Sequence, residues 1–312
     1  MGYRKIANLY RPEASKELLG RKEVYALEKI HGTSAHIKYH RENGISFFSG
    51  GIKHVSFLQM LDERFNLETI KHNFHEAFKT NPSIGTELTV FGEAYGGKCQ
   101  RMTNIYGPLN FIAFEVKIDD KWLSVPNARM WSEFLGFEFV HYTKGPATVA
   151  WLDAQRDKFS EQAKRNGMGD DKRGEGIVVR PINEETDYRG NRILAKHKRE
   201  VFGETRTKRE LDPNKQKVWR EARATAEEWC IMERLRHIID ALKAKGCEDF
   251  TMTETGAVIR AMIEDVRVES GVGGENPEIE WTPAISKAIG AECARIYKKY
   301  LHEEYNLQSK EL

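Results

Sequence analysis
The sequence predicts an α+β protein: a domain of short antiparallel strands with flanking helices, then a small all-α domain. Three observations predict it. Up to about residue 205, runs of four to ten residues rich in β-branched and aromatic types recur between Gly, Asn, Asp or Pro. A few segments among them place apolar residues three or four apart, the helical period. After Pro213 only the helical period remains.

The strands, in order, are "VYALEKI", "SAHIKYH", "GISFFSG", "ELTVFGEAY", "LNFIAFEVKID", "KWLSV", "GIVVRP" and "RILAKHK". Residues 56–79 read as one helix, because Phe57, Leu61 and Phe65, then Phe74 and Phe78, recur at helical spacing. "VPNARMWSEFL" and "PATVAWLDAQRDKFSEQAKRNG" read as further helices, the second running into the polar loop "MGDDKRGEG". Residues 214–245 align Val218, Ala222, Trp229, Met232, Ile239 and Leu242 on one stripe that stops at Gly246. A helix over 254–268 follows. Thr282–Pro283 then reads as an N-cap followed by Pro at the first helical position. The domains are accordingly expected at 1–208 and 209–312.

Composition narrows the function classes. With 40% hydrophobic and 31% charged residues, the chain reads as a soluble globular protein. No apolar run approaches the roughly 20 residues of a membrane span, and the first residues lack the apolar core of a secretory signal. Cys99, Cys230, Cys247 and Cys293 are scattered without a C-x-x-C pair, which argues against a zinc knuckle and suits a reducing cytosol. The net charge is only +2, but residues 189–223 are strongly basic, the footprint of a phosphate-backbone partner or of a solvated face.

Four charged segments interrupt apolar strands: Glu28-Lys29-Ile30-His31-Gly32, Phe91-Gly92-Glu93, Glu175-Gly176-Ile177-Val178-Val179-Arg180 and Lys196-His197-Lys198. Singly, each is commonplace; a K-x-x-G tetrapeptide is more often an exposed strand end with a turn. Together, at strand ends of one domain, they supply what covalent nucleotidyl transfer requires. An amine must become neutral to attack an α-phosphate, against an ordinary pKa of about 10.4. Cations must stabilise the developing phosphorane and the leaving pyrophosphate. Carboxylates must hold a divalent metal and the ribose.

Those segments, with "EKIHGTS", "VFGEAYGGKCQ", "NFIAFEV", "EGIVVRP" and "LAKHK", make the chain similar to covalent nucleotidyltransferases: ATP-dependent DNA ligases, RNA ligases and capping enzymes. His31, where DNA ligases and capping enzymes typically have Asp, resembles the phage RNA ligase 2 type. The likeness runs over about residues 25–200. It implies a ligase domain of antiparallel sheets (an ATP-grasp-like arrangement), with the helical C-terminal domain in place of an oligonucleotide-binding barrel.

It also implies roles. Lys29 resembles the nucleophile that takes AMP from ATP. Glu28, Ile30 and Gly32 surround it in the nucleotide-binding loop, the backbone of Glu28 reading the adenine edge. Glu93 matches the residue that holds the ribose hydroxyls, and Phe114 the aromatic that stacks on adenine. Glu175 matches a carboxylate acting near Mg2+ or Mn2+. Lys196 and Lys198 match the pair at the α-phosphate, and His31 and Gln100 match positions tied to phosphate or strand joining.

Three positions depart from the family pattern. Glu115 stands where the metal-linked residue after the stacking Phe is usually Asp. Ser34 replaces a common Asn. No Arg follows "FFSGG", so Lys53 is its expected substitute, or Gly50 and Gly51 offer a backbone anion nest. Gly96-Gly97-Lys98 lacks the rest of a phosphate loop, and His72 and His75, three apart on a helix, read as a solvated face.

The resemblance implies joining of 3′-OH and 5′-phosphate RNA ends, nicked or annealed, by a cytoplasmic monomer of phage or bacterial origin. A ligase acting on DNA or mixed strands, a GTP-using capping enzyme, and a non-catalytic RNA-binding protein of the same fold are the alternatives. His31 and the helical C-terminus favour RNA. The retained lysines at 29, 196 and 198 favour catalysis.

Overall fold
The structure, a computed structural model, describes residues 3–187, 190–202, 213–247, 250–272 and 278–308. It divides into two compact units. One comprises Met1–Leu18, Lys22–Glu185 and Ile193–Arg209; the other comprises Leu19–Arg21, Thr186–Arg192 and Glu210–Leu312. The boundary expected at residue 208 falls within 203–212, outside the described residues.

In chain order the strands are β1 (Ala7–Asn8), β2 (Glu23–Lys29), β3 (Thr33–His40), β4 (Gly44–Ser49), β5 (Glu87–Tyr95), β6 (Asn110–Ile118), β7 (Lys121–Trp122), β8 (Tyr142–Pro146), β9 (Gly176–Pro181) and β10 (Ala195–Lys198). The helices are α1 (Pro12–Leu19), α2 (His54–Phe65), α3 (Leu67–Thr80), α4 (Thr103–Tyr106), α5 (Val125–Phe134), α6 (Val149–Arg156) and α7 (Glu161–Arg165). Then come α8 (Pro213–Trp229), α9 (Met232–Ala244), α10 (Thr255–Glu269) and α11 (Pro283–Gln308).

All ten strands lie in the first unit, in two five-stranded sheets ordered β1-β10-β9-β2-β8 and β4-β3-β5-β6-β7. Every pairing is antiparallel except β1 with β10. Leu27 from the first sheet and Ile30 just after β2 meet Ile37, Val90, Phe111 and Val116 from the second sheet in one buried core, closed by Phe57 of α2 and Phe74 of α3. Burial of such side chains, each worth about 1.5–3 kcal/mol, is what holds the two sheets together. The second unit has its own core, in which Leu235, Val258, Met262, Ile289 and Cys293 are buried. Thr282 caps α11 as expected, its hydroxyl accepting from the Ile285 amide at 3.2 Å. No helix among the described residues is long and apolar enough to cross a membrane.

Three expected helices are broken. The one over 56–79 is interrupted at Asn66, whose φ of 59° stops α2. Its side chain then caps α3 by accepting from the Glu68 and Thr69 amides at 3.0 and 3.1 Å. The helix expected to begin near Pro146 is α6 and α7, separated by an extended stretch in which Phe159 bridges Arg173; Ser160 restarts the helix by accepting from the Ala163 amide. The segment 214–245 divides at Ile231, whose extended backbone precedes α9. Two strands had no sequence signal: β1 is two residues long, and β8 carries Gly-Pro, tolerated because it is a sheet edge.

Candidate active site
The segment between β2 and β3 passes from one sheet to the other. Lys29 ends β2 opposite Gly176, and Thr33 opens β3 opposite Ala94. Gly32 is required at the crossing because a Cβ there would lie 2.3 Å from the Ala94 carbonyl oxygen. That close contact within the protein is the constraint the structure puts on it. Gly176 has φ 146°, and a Cβ on it would meet the His197 carbonyl oxygen at 2.2 Å. The two glycines let β2, β9 and β10 end side by side.

Three basic side chains converge there on one carboxylate. Lys29 Nζ donates to Glu175 Oε2 at 2.7 Å, Lys198 Nζ lies 2.7 Å from Oε1, and His31 Nδ1 lies 3.2 Å from Oε2. The Glu175 side chain is 1% exposed. Burial alone would raise its pKa. The hydrogen bond from His31, the charge of Lys29 and the hydrogen bonds from Lys198 and Lys29 overcome that and hold it down at about 2. Glu93 behaves oppositely. It accepts from the Gly32 amide at 3.0 Å, yet burial pushes its pKa up to about 7, Lys29 opposing and Glu175 adding to the rise.

Beside this cluster is a cavity of about 230 Å3. Leu27, Lys29, Val178 and Lys196 line it from the first sheet, Ser34, Glu93, Phe114 and Glu115 from the second. Strand alternation would send Phe114 and Glu115 to opposite faces. They share the cavity because the register slips: Phe91 pairs Glu115 but Gly92 pairs Ala113, leaving Phe114 as an extra residue in β6. Such a bulge re-aims side chains beside a site.

Sequence reasoning missed a polar group at the cavity's other end. Arg180, fully buried, lies 3.3 Å from Glu115, donates to Glu184 at 3.0 Å and to the Leu123 carbonyl at 2.9 Å. The Tyr3 hydroxyl donates to Glu115 Oε2 at 2.6 Å, and its ring stands edge-on to Phe114 with centroids 5.1 Å apart. Arg180 was visible as a charge inside an apolar run. Tyr3 carried no signal, since its partners are more than 80 residues away.

The expected residues divide as follows. Lys29, His31, Glu175 and Lys198 meet directly; Ile30, Glu93, Phe114 and Lys196 line the cavity beside them. Glu28 also borders it, but its carboxylate accepts from the Ser160 hydroxyl and the Gln162 amide, its own amide donates to the His141 carbonyl, and burial raises its pKa. Other expected residues stand apart from the cavity or in a different setting. Lys53 is exposed ahead of α2 and Gln100 is exposed in the left-handed turn Cys99–Arg101; neither lines the cavity. Glu115 is already neutralised by Arg180 and Tyr3, an environment for an internal ion pair more than for a metal ligand. Among the described residues no three His, Cys, Asp or Glu side chains gather as a metal cage. Mg2+ commonly takes one or two carboxylates and completes its shell with substrate phosphates and water. Glu175 is ionised, but Lys29, His31 and Lys198 already occupy both its oxygens, so it would hold a metal only once one of those pairs opens.

A model of the RNA ligase family matches residues 22–198, which contain every member of the cluster. The chain belongs to the RNA ligase family. No curated protein matches its sequence. Solved structures similar to it include the Naegleria gruberi RNA ligase with PPi, at 12% identity and a TM-score of 0.45, covering 65% of this chain and 57% of that one. An arginine-to-alanine variant of the same ligase with ATP and Mn gives 11%, 0.47, 65% and 57%. A lysine-to-methionine variant with AMP and Mn gives 10%, 0.45, 65% and 57%. The chain thus spans just over half the length of those structures.

Proposed function
We propose that the chain is an ATP-dependent RNA ligase that joins 3′-OH and 5′-phosphate ends through a lysyl-AMP on Lys29. The observation that carries this reading is the convergence of Lys29, Lys198 and His31 on Glu175 at the edge of a cavity lined by Phe114, Val178 and Glu93. At about 230 Å3 the cavity is below the roughly 300 Å3 of common drug-sized sites. It suits a base and part of a sugar, with the phosphates left beside Lys29 and Lys196.

In this reading Phe114 and Val178 hold the base. Glu93, near pH 7 a mixture of acid and carboxylate, can donate to or accept from a ribose hydroxyl. The Lys29 amine loses its proton and attacks the α-phosphorus; a P–N bond forms and pyrophosphate leaves. Lys196 and Lys198 balance charge on the phosphates. A divalent cation held by Glu175 would neutralise charge on the pyrophosphate. A 5′-phosphate oxygen of RNA then attacks the same phosphorus, breaking the P–N bond, and the amine is reprotonated. A 3′-hydroxyl finally attacks the activated 5′-phosphorus and AMP departs. His31, at the open end of the cluster with its ring against Phe202, is suited to orienting these later phosphates.

Gel assays with ATP and a divalent metal on nicked and single-stranded substrates, all-RNA and all-DNA, test the reading. Sealing of RNA ends with AMP release is expected. Efficient sealing of all-DNA nicks without RNA sealing would overturn the choice of substrate.

A further inference from the structure
The end of the first sheet that carries Lys29 also carries a group of cations outside the cavity. Past the start of β9, residues 172–174 run beside 158–160: Phe159 bridges Arg173, and the Ser160 amide donates to the Lys172 carbonyl at 2.8 Å. Past the end of β10, the Arg199 guanidinium donates to the Lys158 carbonyl, joining this ribbon. The Phe159 ring is 52% exposed although it lies in an otherwise charged segment.

Charge pairing around the ribbon is uneven. Asp157 and Asp153 are taken by Arg156, Asp171 by Lys172 and Asp170 by Lys164. Among the described residues Lys158, Arg173 and Arg199 form no ion pair, and Arg199 Nε is buried with no hydrogen-bond acceptor. Arg173 and Arg156 are charged neighbours of Arg199, with Asp157 the acidic one. Unneutralised cations around an exposed aromatic ring match the needs of an unpaired nucleic-acid strand: phosphates seek the cations, and a base with no partner stacks on the ring.

The ribbon is also tied to the site. Phe159 precedes Ser160, which donates to Glu28; Arg173 lies two residues before Glu175; Arg199 follows Lys198, and its amide donates to the Glu175 carbonyl at 2.9 Å.

We propose that Lys158, Phe159, Arg173 and Arg199 form the seat of the RNA end that the enzyme joins, with phosphates against the cations and the first unpaired base stacked on Phe159. The proposal rests on the ligase reading and extends it to an unpaired terminal nucleotide as the bound form of the substrate.

Fluorescence anisotropy on the full chain with a 5′-phosphorylated single-stranded RNA oligomer, across a salt series, tests it; ATP labelling is read in parallel. Phe159→Ala with Arg173→Ala should weaken binding at least roughly tenfold. The salt slope should fall by about 0.7 for the one arginine removed. Labelling should stay within about twofold, since neither side chain lines the nucleotide cavity. Arg173→Glu, a second and purely surface change, should weaken binding further. Unchanged RNA affinity in both variants, with labelling intact, overturns the seat alone. If the unaltered chain takes no label yet RNA affinity falls in the variants, the ligase reading fails, and what stands is RNA binding at these residues and not a seat for an end to be joined.

Discussion

Lys29 Nζ and Glu175 Oε2 are 2.7 Å apart, and the same carboxylate also binds Lys198 and His31. One buried anion therefore holds three basic groups, supplied by the end of β2, the crossing after it and the end of β10. An ion pair presents Lys29 to the cavity; in the proposed reaction it must open before the amine can act, so Glu175 would both organise the site and restrain it.

Removing that anion leaves the Lys29 and Lys198 cations crowded at a largely buried point. Breaking a buried pair costs more than the pair contributes, because the remaining charge is uncompensated. Glu175→Gln should lower stability by about 3 kcal/mol in denaturant unfolding and abolish labelling by ATP. An unchanged unfolding midpoint would show that the cluster is not held by this carboxylate.

The two acidic groups respond to pH in opposite directions. Glu93 has a folded pKa near 7, above its unfolded 4.5, so its contribution is full below 4.5 and is lost as pH rises through 7. Glu175 has its pKa lowered to about 2, so its contribution is present above 4.5 and is lost as pH falls toward 2. Between pH 4.5 and 7 the Glu93 contribution is on the order of 2 kcal/mol after solvent screening. Unfolding curves across that range should flatten in Glu93→Gln. A slope identical to that of the unaltered protein would contradict the buried-carboxyl account.

Gly32→Ala sets a methyl group against the Ala94 carbonyl, where backbone, not a flexible side chain, must yield. A loss of about 1–3 kcal/mol is expected, with weaker labelling because Lys29 is three residues away. Full stability and full labelling together would contradict the close crossing of the sheets.

Tyr3→Phe removes a hydroxyl that holds Glu115 but keeps the ring against Phe114. The KM for ATP should rise several-fold with kcat for labelling little changed, since the change touches the cavity wall and not the cluster. Loss of kcat with KM constant would mean that Tyr3 acts on the chemistry instead.

The strand half of the fold was legible because strand ends in this chain are marked by Gly, Asn and Pro, and β2 to β6 and β9 lie close to their sequence signals. The breaks at Asn66, 157–160 and Ile231 were not, because apolar spacing continues across them and only backbone geometry reveals the interruption. In the site, Lys29, Glu93, Glu175 and Lys198 were legible as charges inside apolar strands. What spacing could not show is the bulge at Phe114, which turns two adjacent side chains into one cavity, or the pairing of Glu115 with Arg180 and Tyr3 across long stretches of chain. Lys53 and Gln100 were carried over by motif position alone, and local backbone geometry sets both outside the cavity.

Incubating the chain with ATP labelled at the α-phosphate, with Lys29→Ala beside it, tests the central claim most directly. The account predicts acid-labile, hydroxylamine-sensitive label on the unaltered protein, none on the variant, and release of the label as AMP when RNA ends are added. Equal labelling of Lys29→Ala would contradict it.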